Sequence, residues 1–372
     1  MHSIYRRLNK SSLLLYLFFL KVFPAKKINE SDGAILVLAD LFFGDLAMAG
    51  PLIIELKKQN PSRKIILLSK FSLTEVANLF DISFVVGADY LNWQILSELR
   101  KASPEGYGKV INIFSWKWLS LLKALPNGKV ISHLGSKSRS NMMVTEIVSI
   151  SDKPIVASQI ILDLLPKSQK NIKKIRFKLT HNSREYDYLN NYLIIHIGAS
   201  SNAKLWPLDL IEFLLKLSLK LKKTIVFSGL DQEYGYQLDL IKLINLYMSR
   251  LKIINLIGQT NIVELLELVS NAKGIISVDT GIVHWARLLS VPNLSVTGPA
   301  DIKLYGGNKS FFENSRSVSA ESLDCQDKNT FHGVKIRWMS SCTRSECPLP
   351  SRLCFDGVNR QEIEKDFFEL FS

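Results

Sequence analysis

From Gly33 onward, short wholly apolar runs alternate with longer amphipathic stretches, a rhythm that predicts parallel sheets covered by helices. Ala34–Leu38, Lys64–Leu68, Ile82–Val86, Lys109–Phe114 and Lys129–His133 read as buried strands, with helices at Leu46–Gln59 and Leu73–Phe80. Lys167–Lys174 is polar and basic, and apolar periodicity stays weak up to Asn191, so a linker is predicted there. The alternation restarts with strand Tyr192–Ile197, helix Leu208–Lys220, strand Thr224–Phe227, helix Gln232–Met248, strand Lys252–Leu256 and helix Ile262–Ser270. One more strand, from Gly274, runs into a helix that begins at or near Gly281. Two Rossmann-like α/β domains facing a cleft are expected, with ligands at the loops beyond the carboxyl ends of the strands.

Composition adds a direction to this picture. The 372 residues, 47% hydrophobic and 22% charged, suffice for two cores. The net charge of +13 is unevenly spread: residues 1–27 hold six Lys or Arg and no acid, 28–175 hold 18 basic against 13 acidic, and 176–372 hold 23 against 21. An anionic partner for the N-terminal half follows, whether membrane surface, acidic glycolipid or nucleic acid; a basic surface serving solubility alone is the plainer alternative. At the start, Arg6, Arg7 and Lys10 precede the apolar run Leu13–Leu20. No small-residue cleavage site follows, and the run is shorter than the ~20 residues a bilayer span needs. A basic amphipathic helix lying on an anionic leaflet is expected, with a helix packed on the first domain as the alternative.

Chemistry concentrates in a few loops. Ser277-Val278-Asp279-Thr280-Gly281 leads into Ile282-Val283-His284, a strand delivering Asp, Thr and Gly to a helix start. The unpaired amides and dipole of such a start suit phosphate, and His284 lies one turn on from Thr280. Simple capping is the plainer reading. After the first strand, Gly44 permits a tight turn and Asp45 stands at a helix start, either as a cap or as a carboxylate able to take a proton from a hydroxyl. Gly198 to Pro207 is a polar loop in which Lys204 supplies a cation and Ser200 and Ser201 supply hydroxyls for phosphate. Glu233 follows the strand ending at Ser228, where acidic residues hold ribose hydroxyls. Dehydrogenase, kinase and hydrolase signatures are missing: there is no GxGxxG, Walker loop, GxSxG or HExxH. Cys325, Cys342, Cys347 and Cys354 cluster near the C-terminus with spacings that would close a structural zinc or iron site; packed, unliganded thiols are the alternative.

Taken in order, these loops resemble glycosyltransferase family 9, the heptosyltransferases of lipopolysaccharide assembly. Asp279-Thr280-Gly281 with His284, followed by Gly298-Pro299, carries most of the likeness; Gly44-Asp45 with Pro51, Lys204-x-Trp206-Pro207 and Gly229-x-x-x-Glu233 carry the rest. The resemblance implies a GT-B fold with an acceptor domain over 28–175, a nucleotide-sugar domain over 176–345, and a cysteine-containing tail over 346–372 whose helix returns to the first domain. It implies Asp45 as general base, Ser200 and Lys204 on the donor diphosphate, Glu233 on the ribose, Thr260 by the adenine, Asp279 on donor sugar hydroxyls, and Thr280 and Gly281 on phosphate. His284 matches the motif and orients Asp279 or the helix turn.

The implied activity is inverting transfer of heptose from ADP-heptose to a Kdo or heptose of the lipopolysaccharide core, with no cofactor in catalysis. Its implied partner is an acidic glycolipid, not nucleic acid; the anionic membrane surface, at the cytoplasmic face of the inner membrane, is expected from the composition of residues 1–27 alone. A protein acceptor, a GT-B sugar-nucleotide epimerase and a non-catalytic nucleotide-sugar-binding partner stand as alternatives.

Overall fold

All but the last of the strands in the first half follow the apolar runs. In the computed structural model, which describes residues 2–19, 25–69, 76, 78–86, 92–133, 142–165, 189–230, 234–321, 323–349 and 352–372, they are β1 (Ala34–Ala39), β2 (Ile65–Ser69), β3 (Ser83–Val86), β4 (Tyr107–Ile113), β5 (Asn127–His133) and β6 (Glu146–Val148). They pair in parallel, in the order β3-β2-β1-β4-β5-β6. Every residue of β1 and β2 is buried, which is why these strands read as continuous apolar runs rather than alternating ones. The second sheet contains β7 (Tyr192–His196), β8 (Thr224–Ser228), β9 (Ile253–Asn255), β10 (Gly274–Ser277), β11 (Asn293–Thr297) and β12 (Ser315–Ser319). Its order is β12-β11-β10-β7-β8-β9, again parallel throughout.

Each sheet thus grows first to one side of its opening strand and then to the other. The order reverses between β1 and β4 in the first sheet and between β7 and β10 in the second, which opens a crevice at the carboxyl ends of each pair. The chain divides into two units: Met1–Asp152, Ile160–Ser168 and Thr330–Ile336 form one, and Lys153–Gln159, Gln169–Asn329 and Arg337–Ser372 the other.

In the first unit, the helix His2–Phe19 sets Leu13 and Leu17 into a core shared with Leu36, Leu68, Val110 and Trp118. Its Tyr16 ring lies 4.9 Å from Trp93, whose indole donates to Ser12 Oγ at 3.0 Å. The other side of this helix leaves Leu14, Leu15 and Phe18 exposed. The segment therefore packs as well as presenting an apolar face. Among the described residues no helix is long and apolar enough to cross a membrane.

In the second unit, Ile195, Phe227, Ile276 and Val296 build a core with Trp206. The last helix, Arg360–Phe371, was expected to return to the first domain; instead it contributes Ile363, Phe367 and Phe371 to this second core. The reason is steric as well as apolar, since a Cβ on Gly274 would lie 2.3 Å from the Phe371 ring, so the glycine makes the seat for that ring. What does belong with the first unit from late in the chain is the hairpin of β13 (Thr330–Phe331) and β14 (Val334–Lys335). The predicted helix Leu73–Phe80 appears only as Val76 and a tight turn at Asn78–Phe80, its other residues lying outside those described, as does Lys167–Lys174.

Candidate functional site

The reversal point of the second sheet brings together two loops that are far apart in sequence. After β7 the chain passes Gly198 into the short turn Asn202–Lys204, and after β10 it passes Asp279 into the helix Gly281–Leu288. Lys204 Nζ donates to the Asp279 backbone oxygen at 3.1 Å and to Asp279 Oδ2 at 3.2 Å. Asp279 Oδ1 is buried and finds no hydrogen-bond partner among the described residues; His284 Nε2 faces it at 3.4 Å. Behind His284, Arg287 Nη1 approaches Nδ1 at 3.0 Å. A guanidinium only donates, so Nδ1 accepts and the imidazole hydrogen sits on Nε2, the ring nitrogen nearer Asp279.

Burial pushes the Asp279 carboxyl up, but Lys204, His284 and Arg287 together reverse this and hold it well below the usual carboxylate range. Arg287 is pushed down to about 10 by burial, and it is kept charged by a full set of acceptors: Ser315 Oγ at 3.2 Å, Ser295 Oγ at 3.1 Å and the Tyr305 carbonyl. Thr280 occupies the N-cap of the helix with extended backbone, yet its hydroxyl makes no capping bond. The capping role does not consume Thr280, and its hydroxyl stays available to a ligand.

Around this pair the loops are firmly held. Ala203 N–H donates to the Ser345 carbonyl at 2.9 Å and Arg352 Nη1 to the Leu205 carbonyl at 2.6 Å, so the cysteine-bearing segment backs the Lys204 turn. His196, buried and pushed down to about 4 by desolvation, shares a 2.9 Å hydrogen bond with Ser228. Its ring lies 2.7 Å from where a Cβ on residue 198 would stand, so a side chain there would have to displace the imidazole. Ser200 is exposed on the same loop. Thr260 is half-buried just before the helix Ile262–Asn271, after a turn tied to the β8 loop by Gly258 N–H donating to the Gly229 carbonyl.

The reversal point of the first sheet carries two carboxylates. Asp40, directly after β1, has both oxygens engaged, by Trp118 Nε1 at 3.0 Å and Lys117 Nζ at 3.0 Å. Asp45 lies in the first turn of the helix Phe43–Gln59, where Oδ2 accepts the Phe42 amide at 3.1 Å. This is the capping contact the sequence suggested, made from the third helical position rather than the first. It uses one oxygen and leaves Oδ1 for other work. Across the reversal, β4 ends into Phe114, Ser115 and Trp116, and Ser115 Oγ and Trp116 Nε1 are buried with no hydrogen-bond partner among the described residues.

The profile of glycosyltransferase family 9 (heptosyltransferase) matches residues 129–334, more than half of the chain. The chain belongs to glycosyltransferase family 9. Among solved structures, Escherichia coli heptosyltransferase WaaC with ADP matches with TM-score 0.61 at 16% identity, over 91% of this chain and 100% of that one. E. coli ADP-heptose LPS heptosyltransferase II matches with TM-score 0.63 at 15% identity, over 91% and 98%. The iron-containing dodecameric glycosyltransferase TibC of enterotoxigenic E. coli matches with TM-score 0.54 at 12% identity, over 92% and 77%. No curated protein matches the chain. The two parallel sheets are those of the GT-B heptosyltransferase fold, and the protein is a glycosyltransferase.

In this family 9 chain the structure brings Lys204, Asp279 and His284 into one cluster, with Thr280 and Gly281 at the adjoining helix start, while Glu233 lies outside the described residues. Cys325, Cys342, Cys347 and Cys354, the expected metal ligands, are all half-buried free thiols. Burial, with the other three thiols adding their repulsion, pushes Cys354 up to about 11, so the four do sense one another. Yet among the described residues no group of three or more His, Cys, Asp or Glu side chains is placed to hold a metal ion. Cys354 packs against the second core, and the Cys342 thiol faces Arg344 Nη1 at 3.6 Å. Arg287 and Asp40 were not anticipated from sequence. A basic residue in a last helical turn reads as dipole complement, and nothing local marks it as the buried anchor of His284.

Proposed function

We propose that this family 9 enzyme is an inverting heptosyltransferase that moves heptose from ADP-heptose to the lipopolysaccharide core. The observation that carries the donor assignment is the buried Lys204–Asp279–His284 cluster with its unbonded Asp279 oxygen. A buried acceptor left unsatisfied costs about 1–3 kcal/mol, and a sugar hydroxyl is the kind of donor that removes this cost. Lys204 and the amides at Gly281 supply the positive field that a departing diphosphate needs. E. coli WaaC is solved with ADP, TibC with an ADP-heptose, and E. coli heptosyltransferase II is an ADP-heptose LPS heptosyltransferase, which supports the same choice here.

The reaction then balances as follows. The acceptor hydroxyl oxygen bonds to the anomeric carbon on the face opposite the diphosphate, its proton passes to Asp45, and the bond from carbon to diphosphate oxygen breaks with its electron pair leaving on ADP. Asp45 suits the base role better than Asp40, whose oxygens are both occupied. The excess of basic residues in 1–175 supports an anionic glycolipid as acceptor. Glu233 remains our candidate for the ribose, Ser200 for the diphosphate and Thr260 for the adenine side.

Incubating the protein with ADP-heptose and a truncated core lipopolysaccharide, with EDTA present, is expected to add one heptose mass to the lipid and release ADP. Lys204→Ala should weaken donor binding by about 10–100-fold, as loss of a charge-assisted contact does. Heptose appearing on a protein acceptor instead would redirect the assignment, and no transfer to either would end it.

The exposed Leu14, Leu15 and Phe18 support a peripheral membrane placement for the first helix. Replacing all three by Ser is expected to abolish co-flotation with vesicles containing anionic lipid, while Leu13 and Leu17 keep the helix docked. Unchanged flotation would remove this helix as the contact.

A further inference from the structure

The β13–β14 hairpin belongs to the first unit although it is contributed from near residue 330. Its turn residues, His332 and Gly333, both have positive φ, 45° and 82°, as a two-residue hairpin turn with the twist of its strands requires. For histidine this conformation is uncommon, and side-chain contacts hold it. The His332 ring stacks on Phe114 with centroids 5.3 Å apart and planes 12° from parallel, and Phe331 meets the same ring edge-on at 5.0 Å. Phe114 follows β4 and Asp45 follows β1, the two strands between which the sheet order reverses. His332 is thereby set with Nε2 3.7 Å from Asp45 Oδ1, the oxygen that the Phe42 amide does not take.

We propose that His332 is a positioning residue for Asp45. With Oδ2 fixed by the helix start and Oδ1 faced by the imidazole Nε2, the carboxylate has little freedom to rotate, and its remaining lone pairs stay directed at an incoming hydroxyl. His332 neither gains nor loses a proton in the balanced step; it acts through Asp45 alone. The inference rests on Asp45 being the base.

A kinetic double-mutant cycle tests it on the full chain with ADP-heptose and core lipopolysaccharide. His332→Phe keeps an aromatic ring on Phe114 but has no nitrogen, and is expected to lower kcat by about 10–100-fold, the scale of a misplaced catalytic group, with the donor KM unchanged. His332→Gln, whose amide nitrogen reaches a similar point, should recover most of that loss. The Asp45→Asn/His332→Phe double variant should be no slower than Asp45→Asn, because the two losses are one. Thermal melts of each variant confirm folding; if His332→Phe does not fold, the comparison of His332→Gln with His332→Leu replaces it. Wild-type kcat in the ring-keeping variant, a gain in KM with kcat intact, or multiplied losses in the double variant would overturn the role of His332. An active Asp45→Asn enzyme would instead overturn the base assignment, and this inference with it.

Discussion

Asp45→Asn is expected to reduce transfer by about 10²–10⁴-fold, the usual contribution of a positioned general base, while ADP-heptose binds as before. The substitution is nearly isosteric. Its amide can keep the Phe42 contact through the carbonyl oxygen, so the helix start survives and the loss reports chemistry rather than folding. Donor affinity should not move, because the groups assigned to the donor, Lys204 and Asp279 among them, lie in the second unit with its own sheet and core. Isothermal titration with ADP alongside single-turnover kinetics separates the two quantities. Retained transfer would show that another group takes the proton, and lost ADP binding would show that Asp45 supports structure beyond its own turn.

The largest stability effect is expected at Arg287. Its guanidinium is buried, donates to Ser315, Ser295 and the Tyr305 carbonyl, and faces His284. Arg287→Met strands those acceptors and removes one of the three groups that hold Asp279 ionised. Removing one member of such a buried charged network costs about 3–5 kcal/mol. For a unit of this size that corresponds to a fall in Tm of about 6–20 °C, measurable by calorimetry. ADP should stabilise the variant less than the native protein, because the His284 tautomer is no longer fixed from behind. A Tm within about 2 °C of native would show that the serines re-pair among themselves and that Arg287 is not the anchor inferred.

These two residues also mark what was legible from sequence. Asp45 and Asp279 stand out in the sequence because each sits in a short local pattern, strand then turn then helix, whose chemistry needs no knowledge of distant chain. β1, β2 and β7 were equally plain, since strands buried on both faces can only be apolar. β11 and β12 were missed for the opposite reason: Asn293-Leu294-Ser295 and Ser315-Arg316-Ser317 look like loop, yet their serines point at the guanidinium of Arg287. The polar residues that hid the strands are the partners of a buried charge. His332 was illegible in a different way. Its hairpin has two-residue strands with no periodicity to read, and its place beside Asp45 comes from a tertiary return that no local pattern encodes. The cysteines show the limit of spacing as a signal, which alone cannot say that one thiol packs into a core and another faces an arginine.

The membership of Thr330–Ile336 in the first unit bears on how the protein can be dissected. Phe331 is almost fully buried, and it covers Phe114 at the end of a central strand. A fragment ending near residue 168 would hold every strand of the first sheet and still lack this cover, leaving an aromatic surface bare beside Asp45. The first unit is not a module that a cut in the connecting segment can release intact. Its last piece is translated only after the whole second sheet, so the first unit completes itself late, when most of its neighbour has already been made.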